Sequence, residues 1–465
     1  MSINKLKILT LSVATAALLT ACTSSADIEK SASNVSKDGT ALPYSVLKED
    51  KNAKASGMFE IRNGGYGSDM VAHPSESNQF YALTDRGPNA TFKGALGKGK
   101  KFPTPDYTPR IGLFELQEDG SVKKVKDILL KRPDGTPISG LPNSSALGGT
   151  GETPYSSSGE VIREDMSKAY DKNTNPIKLD DYGLDGEGLV ALSDGTFWVS
   201  DEYGPHMVHF DKDGNEIGRI NAFTNDKRVK VNLPAEYANR RANRGMEGLA
   251  VTLDETTLVG IMQSTMYNPS KKVKKLDITR IVTINPKTGK TAQFLYKQNK
   301  AQNSNSGIVA VGKNKFYVIE RDGSFLKGGP KKANAKAQKH VYEIDLSTGT
   351  NIEDIKTKGA LVQDEKLGLM IKGKTLEEVV KAGGWATLAE YGIKPVSKKL
   401  VVDMVKEVEY PHDKMEGLWV INKDLLGVLN DDDFATWSTK GKLHPKTLGN
   451  GKVDSNTLYI VNIKK

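Results

Sequence analysis

The stretch DGEGLVALSDGTFWVSDEYGPH, residues 185–206, decides how the rest of the chain is read. Leu189–Leu192 and Phe197–Ser200 are two short apolar runs, and Asp194-Gly195 between them is a strong hairpin signal. With Asp194 and Gly195 as a two-residue turn, Ser193 faces Thr196. Counting outward then sets Glu187 directly across from Glu202, with Asp201 and His206 close by. Like charges facing one another across a strand pair are destabilising unless a cation or a set of arginines offsets them.

The same pattern recurs. Asp69-Met70-Val71 leads to Asp85, Met246-Glu247-Gly248 to Gln263, Ser306-Gly307-Ile308 to Glu320, and Met415-Glu416-Gly417 to Asn430 and Asp431. Each unit opens on a small or acidic residue, runs through a strand, a turn and a second strand, and ends on a polar tip. Two further strands follow in most units, as in IGLFELQEDGSVKKVKDILL around Asp119-Gly120. Four strands per repeat is the blade pattern of a β-propeller, so the expected fold is all-β, with five or six four-stranded blades. A sixth blade would lie between 100 and 185 or between 330 and 410. TLEEVVKAGGWATLAEYG, 375–392, has helical spacing and reads as a small insertion, while MFEIR, 58–62, is the candidate strand for closing the ring.

Composition fits this assignment. The chain of 465 residues is 37% hydrophobic and 26% charged, and its 45 glycines favour turns over long helices. The formal charge of +9 is modest and reads as a solvated basic face. Lys5 and Lys7 precede the apolar run ILTLSVATAALL and then Leu19-Thr20-Ala21-Cys22, the signature of a signal peptide over 1–21. The Leu-Thr-Ala-Cys ending resembles a bacterial lipobox. It implies lipidation of Cys22, a flexible tether over 22–55, a folded domain over 56–465, and anchoring in the cell envelope, at the outer membrane facing the periplasm. Cys22 is the single cysteine, which excludes internal disulfides and thiolate chemistry.

Blades are related by rotation, so the strand ends bearing Asp69, Asp85, Glu187, Glu202, Glu247, Glu320, Glu416 and Asp431 are expected to converge at one end of the channel. That many carboxylates require raised pKa values or a cation. Asp85, Glu187, Glu202, Glu247, Glu320, Glu416 and Asp431 are thus the candidate metal ligands. An oxygen-only set favours calcium over other hard divalent ions. The competing reading makes the same acids turn caps or partners of Arg86, Arg244 and Arg321.

LTDRGPN at 83–89, DGEGL with FWVSDEYGPH at 185–206, NRGMEGLA at 243–250, VIERDG at 318–323 and MEGL with NDDDF at 415–434 together resemble the bacterial phytase-like family, also described as having esterase-like activity of phytase. The resemblance implies a propeller and calcium-dependent phosphoester hydrolysis; Gln263, where an acid is expected, departs from the pattern. For such chemistry Arg86, Arg244 and Arg321 are candidate substrate-binding residues, and Asp201 and His206 candidate catalytic groups, His206 protonating the leaving oxygen. The expected partner is an anionic small molecule such as a phosphoester, taken by a monomer. There is no Gly-x-Ser-x-Gly elbow, no His-Glu-x-x-His motif, and no Walker loop or aromatic-basic platform for nucleic acid. Two functions follow: a lipid-anchored hydrolase of phosphoesters or small esters, or a non-catalytic binding or scaffold propeller with a structural ion.

Overall fold

The computed structural model describes residues 25–50 and 59–464; the signal segment and Cys22 lie outside them. Five sheets form the body, each with four antiparallel strands; one of them, blade 2 below, carries a fifth, parallel strand, Val231–Asn232. From the inner strand outward, blade 1 is Asp69–Ala72, Gln79–Leu83, Arg110–Leu116 and Val122–Leu129, and blade 2 is Gly186–Ala191, Phe197–Asp201, His206–Phe210 and Glu216–Asn221. Blade 3 is Met246–Val251, Leu258–Met262, Ile278–Ile284 and Thr291–Lys297; blade 4 is Ser304–Ala310, Lys315–Arg321, Lys339–Asp345 and Ser397–Asp403. Blade 5 is Gly417–Val420, Leu425–Leu429, Thr457–Asn462 and Thr40–Ala41. Each inner strand lies beside the next, and that of blade 5 returns to that of blade 1, so the ring closes with five blades.

What holds the ring is apolar surface trapped between neighbouring sheets. Leu83, Ile111, Leu189 and Val199 pack between blades 1 and 2, Trp198, Met207, Met246 and Val282 between 2 and 3, and Ile261, Tyr296, Phe316 and Val318 between 3 and 4. Met415, Val428, Ile319 and Val341 join 4 to 5, while Phe80, Phe114, Trp419 and Leu429 join 5 to 1. Each sheet is buried on both faces, which is why the strands read as near-continuous apolar runs.

The ring falls within the expected five or six blades, and two other expectations are corrected. No sixth blade occurs among the described residues: 100–185 supplies the two outer strands of blade 1, loops and part of a cover sheet, and 330–410 supplies the two outer strands of blade 4 with an insertion between them. That insertion comprises Leu361–Asp364, Gly368–Ile371 and the helix Leu376–Glu390, docked on blade 3 through Ile278 and Leu295, with Arg280 paired to Glu377. The closing strand is Thr40–Ala41, not 58–62; Phe59–Asn63 pairs instead with Ser45–Asp50. The segment expected as a tether therefore contributes to the body. A helix spans Ser25–Ser33, and Ile28 and Leu42 are buried in the core between blades 5 and 1, because an open outer edge on blade 5 needs a partner strand.

Candidate functional site

Three of the five inner strands share a local irregularity that aims side chains down the axis. In blade 2, Gly186 pairs with Asp201 and Gly188 with Ser200, leaving Glu187 as the extra residue of a β-bulge. Glu247 in blade 3 and Ser306 in blade 4 occupy the same place. Bulges re-aim side chains and bend the strand. The glycine that follows permits the backbones to crowd: a Cβ at Gly188 would come 2.5 Å from the Leu249 nitrogen, and one at Gly307 would collide with the Glu416 carbonyl.

The hairpin itself closes one residue later than expected. Leu192 N–H donates to the Thr196 carbonyl, and Gly195, at φ 85°, makes a three-residue turn. Glu187 therefore does not face Glu202 in register, but the two still meet in the channel. Aligning the blades by register places Asp69, Glu187, Glu247, Ser306 and Glu416 in one ring, and Thr84, Glu202, Gln263, Arg321 and Asp431 in a second. The residues one step earlier, Asp201 and Glu320 among them, point to the opposite face of their strands.

At the mouth the carboxylates fall into distinct settings. One oxygen each from Asp85, Asp185 and Glu187 lie within 4.8 Å of one another, and all three side chains are buried. Asp185 touches Arg86 at 2.6 Å, and Arg86 also reaches Glu152 at 3.3 Å and donates to Asn243 at 2.6 Å. Burial, then Asp431, push Asp85 up to about 7 against the pull of Arg86 and Lys414. Glu187 is raised by burial and by Glu247, Asp185 and Glu202. Glu202 accepts from Gln263 at 2.8 Å and lies in hydrogen-bonding contact with Glu247, whose pKa is raised by burial and then by Glu202. Glu416 is raised by burial to about 8 even though Arg321 pairs with it; Arg321 also accepts the field of Glu247 at 3.6 Å and donates to Ser306 at 2.9 Å. Asp431 pairs with Lys414, which reaches Asp433 at 2.7 Å. Deeper, Asp69 accepts from the Leu189 nitrogen at 2.7 Å and ties blade 1 to blade 2.

The expected convergence thus holds for Asp69, Asp85, Glu187, Glu202, Glu247, Glu416 and Asp431. Glu320 is corrected: it is fully buried between blades 3 and 4, held by Tyr296 at 2.8 Å, Asn303 at 2.7 Å and Lys398 at 2.6 Å, and cannot ligate an ion at the mouth. Asp201 and His206 are corrected as catalytic groups. Asp201 accepts the backbone N–H groups of Asp185 and Gly204, at 2.8 and 2.7 Å, and so shapes the turn. His206 is buried within blade 2, 3.0 Å from the Asn221 amide, with a pKa lowered by burial and by Arg219. Arg86, Arg244 and Arg321 do stand at the mouth. Arg244 is the least engaged of them, with one hydrogen bond to Ser304 at 3.3 Å, and its pKa is lowered by burial and by Arg241.

Asp185 and Lys414 belong to the site although sequence reasoning passed over them. Asp185 reads as a turn residue, and its one signal is the Asp-Gly-Glu spacing that brings it beside Glu187. The residues present fit a hard cation. Asp185 Oδ1, Glu247 Oε2 and Glu416 Oε2 are buried and accept no hydrogen bond, an arrangement costly for carboxylates without a positive partner.

A roof partly covers this end. Ala90–Gly94, Gly97–Lys101 and Thr153–Tyr155 form a three-stranded sheet that leaves blade 1 after Asp85. It adjoins the hairpin Thr436–Thr439 and Lys442–Pro445, which follows Asp431.

Among known proteins, the sequence profile of the phytase-like family, esterase-like activity of phytase, matches residues 61–434. The chain belongs to that family. An "Uncharacterized secreted protein" of Arthroderma benhamiae is 30% identical over 176 residues, covering 33% of this chain and 33% of that protein, so the chain spans about a third of the curated relative it matches. Solved structures that align with it include a PQQ-bound aldose sugar dehydrogenase of Streptomyces coelicolor, at 11% identity and TM-score 0.31 over 91% of this chain and 99% of that one. The periplasmic gluconolactonase PpgL of Pseudomonas aeruginosa aligns at 12% identity and TM-score 0.30, over 90% and 99%. The propeller assignment rests on the strand topology above.

Proposed function

We propose that this protein is an exported hydrolase that takes a phosphoester or small ester at the channel mouth. The observation that supports it most is the buried trio Asp85, Asp185 and Glu187, with oxygens within 4.8 Å of one another, in a chain of the phytase-like family. A hard cation, calcium first, would be held by these three residues and would supply Lewis-acid polarisation of a substrate oxygen and a more acidic bound water. The chain's own groups do the rest. Arg86 fixes the orientation of Asp185, and Arg244, flanked by Glu202 and Glu247, is placed to contact an anionic group. Glu247, whose carboxyl is pushed upward by burial and by Glu202, lies in electrostatic reach of Glu187 and takes the acid role first assigned to His206.

The amino-terminal signature and the secreted relative support export, with Cys22 as the lipid anchor and the protein acting as a monomer. Among the described residues no helix is long and apolar enough to cross a membrane. A second reading is favoured by the pairing of Asp431 with Lys414 and of Glu416 with Arg321: a binding propeller whose mouth is neutralised largely from within. The deciding assay strips the protein with a chelator and follows a chromogenic phosphate ester and a chromogenic acyl ester. Loss of turnover and its return with calcium support the hydrolase. Turnover of neither substrate, with or without metal, leaves the binding reading.

A further inference from the structure

The cations at the mouth differ in how fully they are engaged. Arg86, Arg321 and Lys414 each meet a carboxylate directly, and Lys446, fully buried, meets Asp413 at 2.9 Å and Asp433 at 2.7 Å. Among the described residues Lys100, like Arg244, has no such pair, but it comes from the roof. It sits in the middle strand of the roof sheet, between Thr91 and Pro154, half-buried and without an ion pair among the described residues. Its neighbour Lys101 sets its ammonium over the Phe92 ring at 4.6 Å. Side chains alternate along a strand, so Lys100 is turned to the other face, the one over the mouth. There it is in electrostatic reach of Asp185, Glu152 and Asp433, and close enough to Arg86 to be repelled by it.

Among the described residues Lys100 meets no carboxylate directly at this partly desolvated rim, so an anion arriving there supplies the partner it lacks. We propose that Lys100 is the residue by which this mouth selects anionic over neutral substrates. Its ammonium donates to a phosphoryl oxygen of a phosphate monoester seated between the roof and the Asp85, Asp185, Glu187 trio. Lowering of its pKa by burial and by Arg86 agrees with a lysine awaiting an anion. The inference rests on the functional reading above but names a group outside the carboxylate set.

Calorimetry with inorganic phosphate, in the presence of calcium, tests it on the full chain. Wild type should bind; Lys100→Met should weaken binding roughly ten- to a hundredfold, the range of one charge-assisted hydrogen bond. Lys100→Arg should stay within about threefold of wild type, as should the control Lys101→Met, whose side chain lies on the other face. A calcium-induced rise in melting temperature equal to that of wild type shows that each variant is folded. In steady-state assays Lys100→Met should raise KM for the phosphate ester and leave the neutral ester unchanged. Phosphate affinity unaltered in Lys100→Met overturns the proposal. So does a wild type that hydrolyses a neutral ester with calcium yet binds no phosphate, an outcome that leaves the functional reading standing.

Discussion

Glu416 and Asp85 carry much of the pH dependence of this protein. Burial raises their folded-state pKa values to about 8 and about 7, above those of an unfolded chain. A raised carboxyl favours folding while it is protonated, and that contribution is lost as pH climbs through the folded value. Metal-free protein should therefore lose roughly 1–3 kcal/mol of stability between about pH 5.5 and about pH 9, measured by urea denaturation. The depressed carboxyls, Asp226 at about 2 and Asp433, act in the opposite sense, and only at acid pH. Glu247→Gln removes a carboxyl whose pKa burial raises and should flatten this slope, making the metal-free variant about 1 kcal/mol more stable than wild type at about pH 9. Arg321→Met should do the reverse. It strands Glu416 and Glu247 without their cation and should cost about 3–5 kcal/mol in the same assay.

At the scale of the element, blades 2, 3 and 4 repeat a bulge followed by a glycine: the bulge delivers Glu187, Glu247 or Ser306 to the axis, and the glycine lets adjacent inner strands touch. Gly188→Ala should cost about 1–3 kcal/mol, because its methyl would collide with Ser200 Oγ and crowd the Leu249 nitrogen. Much of this was legible in the sequence, since Asp-Gly-Glu-Gly, Met-Glu-Gly-Leu and the apolar runs between them mark where each blade starts. The register was not. A turn of three residues in place of two shifted the pairing of Glu187 against Glu202. In blade 4 a one-residue slip put Glu320 on the wrong face and left Arg321 to line the channel. His206 misled for a related reason: the third strand begins at it, and a strand residue opposite Asn221 is core. Lys100 lies in a cover sheet with no repeat to mark it, and Lys414, just ahead of Met415-Glu416-Gly417, is a basic residue where the repeat shows no such pattern, so only the folded chain brings them to the mouth.

In the whole molecule, ring closure depends on residues far apart in sequence. Thr40–Ala41 completes blade 5 beside Thr457–Asn462, and Ile28 and Leu42 fill the seam to blade 1. Deleting residues up to 42 should therefore lower the melting temperature by several degrees in a calorimetric scan, although this segment reads as a tether. The helix Ser25–Ser33 sits near the turn at Glu118, and Asn422 donates to Glu29 at 3.0 Å. Both turns lie at the end of the propeller opposite the acidic rings.

The central claim is that acids from separate blades meet at one mouth and hold a hard cation there. Calcium titrated into chelator-stripped protein near pH 8, followed by the melting temperature, tests it most directly. The account predicts a saturable rise worth about 2–3 kcal/mol at a hundredfold excess over Kd, abolished by Asp185→Asn with Glu187→Gln and retained by Glu320→Gln. A melting temperature indifferent to calcium in wild type, or a rise that survives the loss of Asp185 and Glu187, would contradict it.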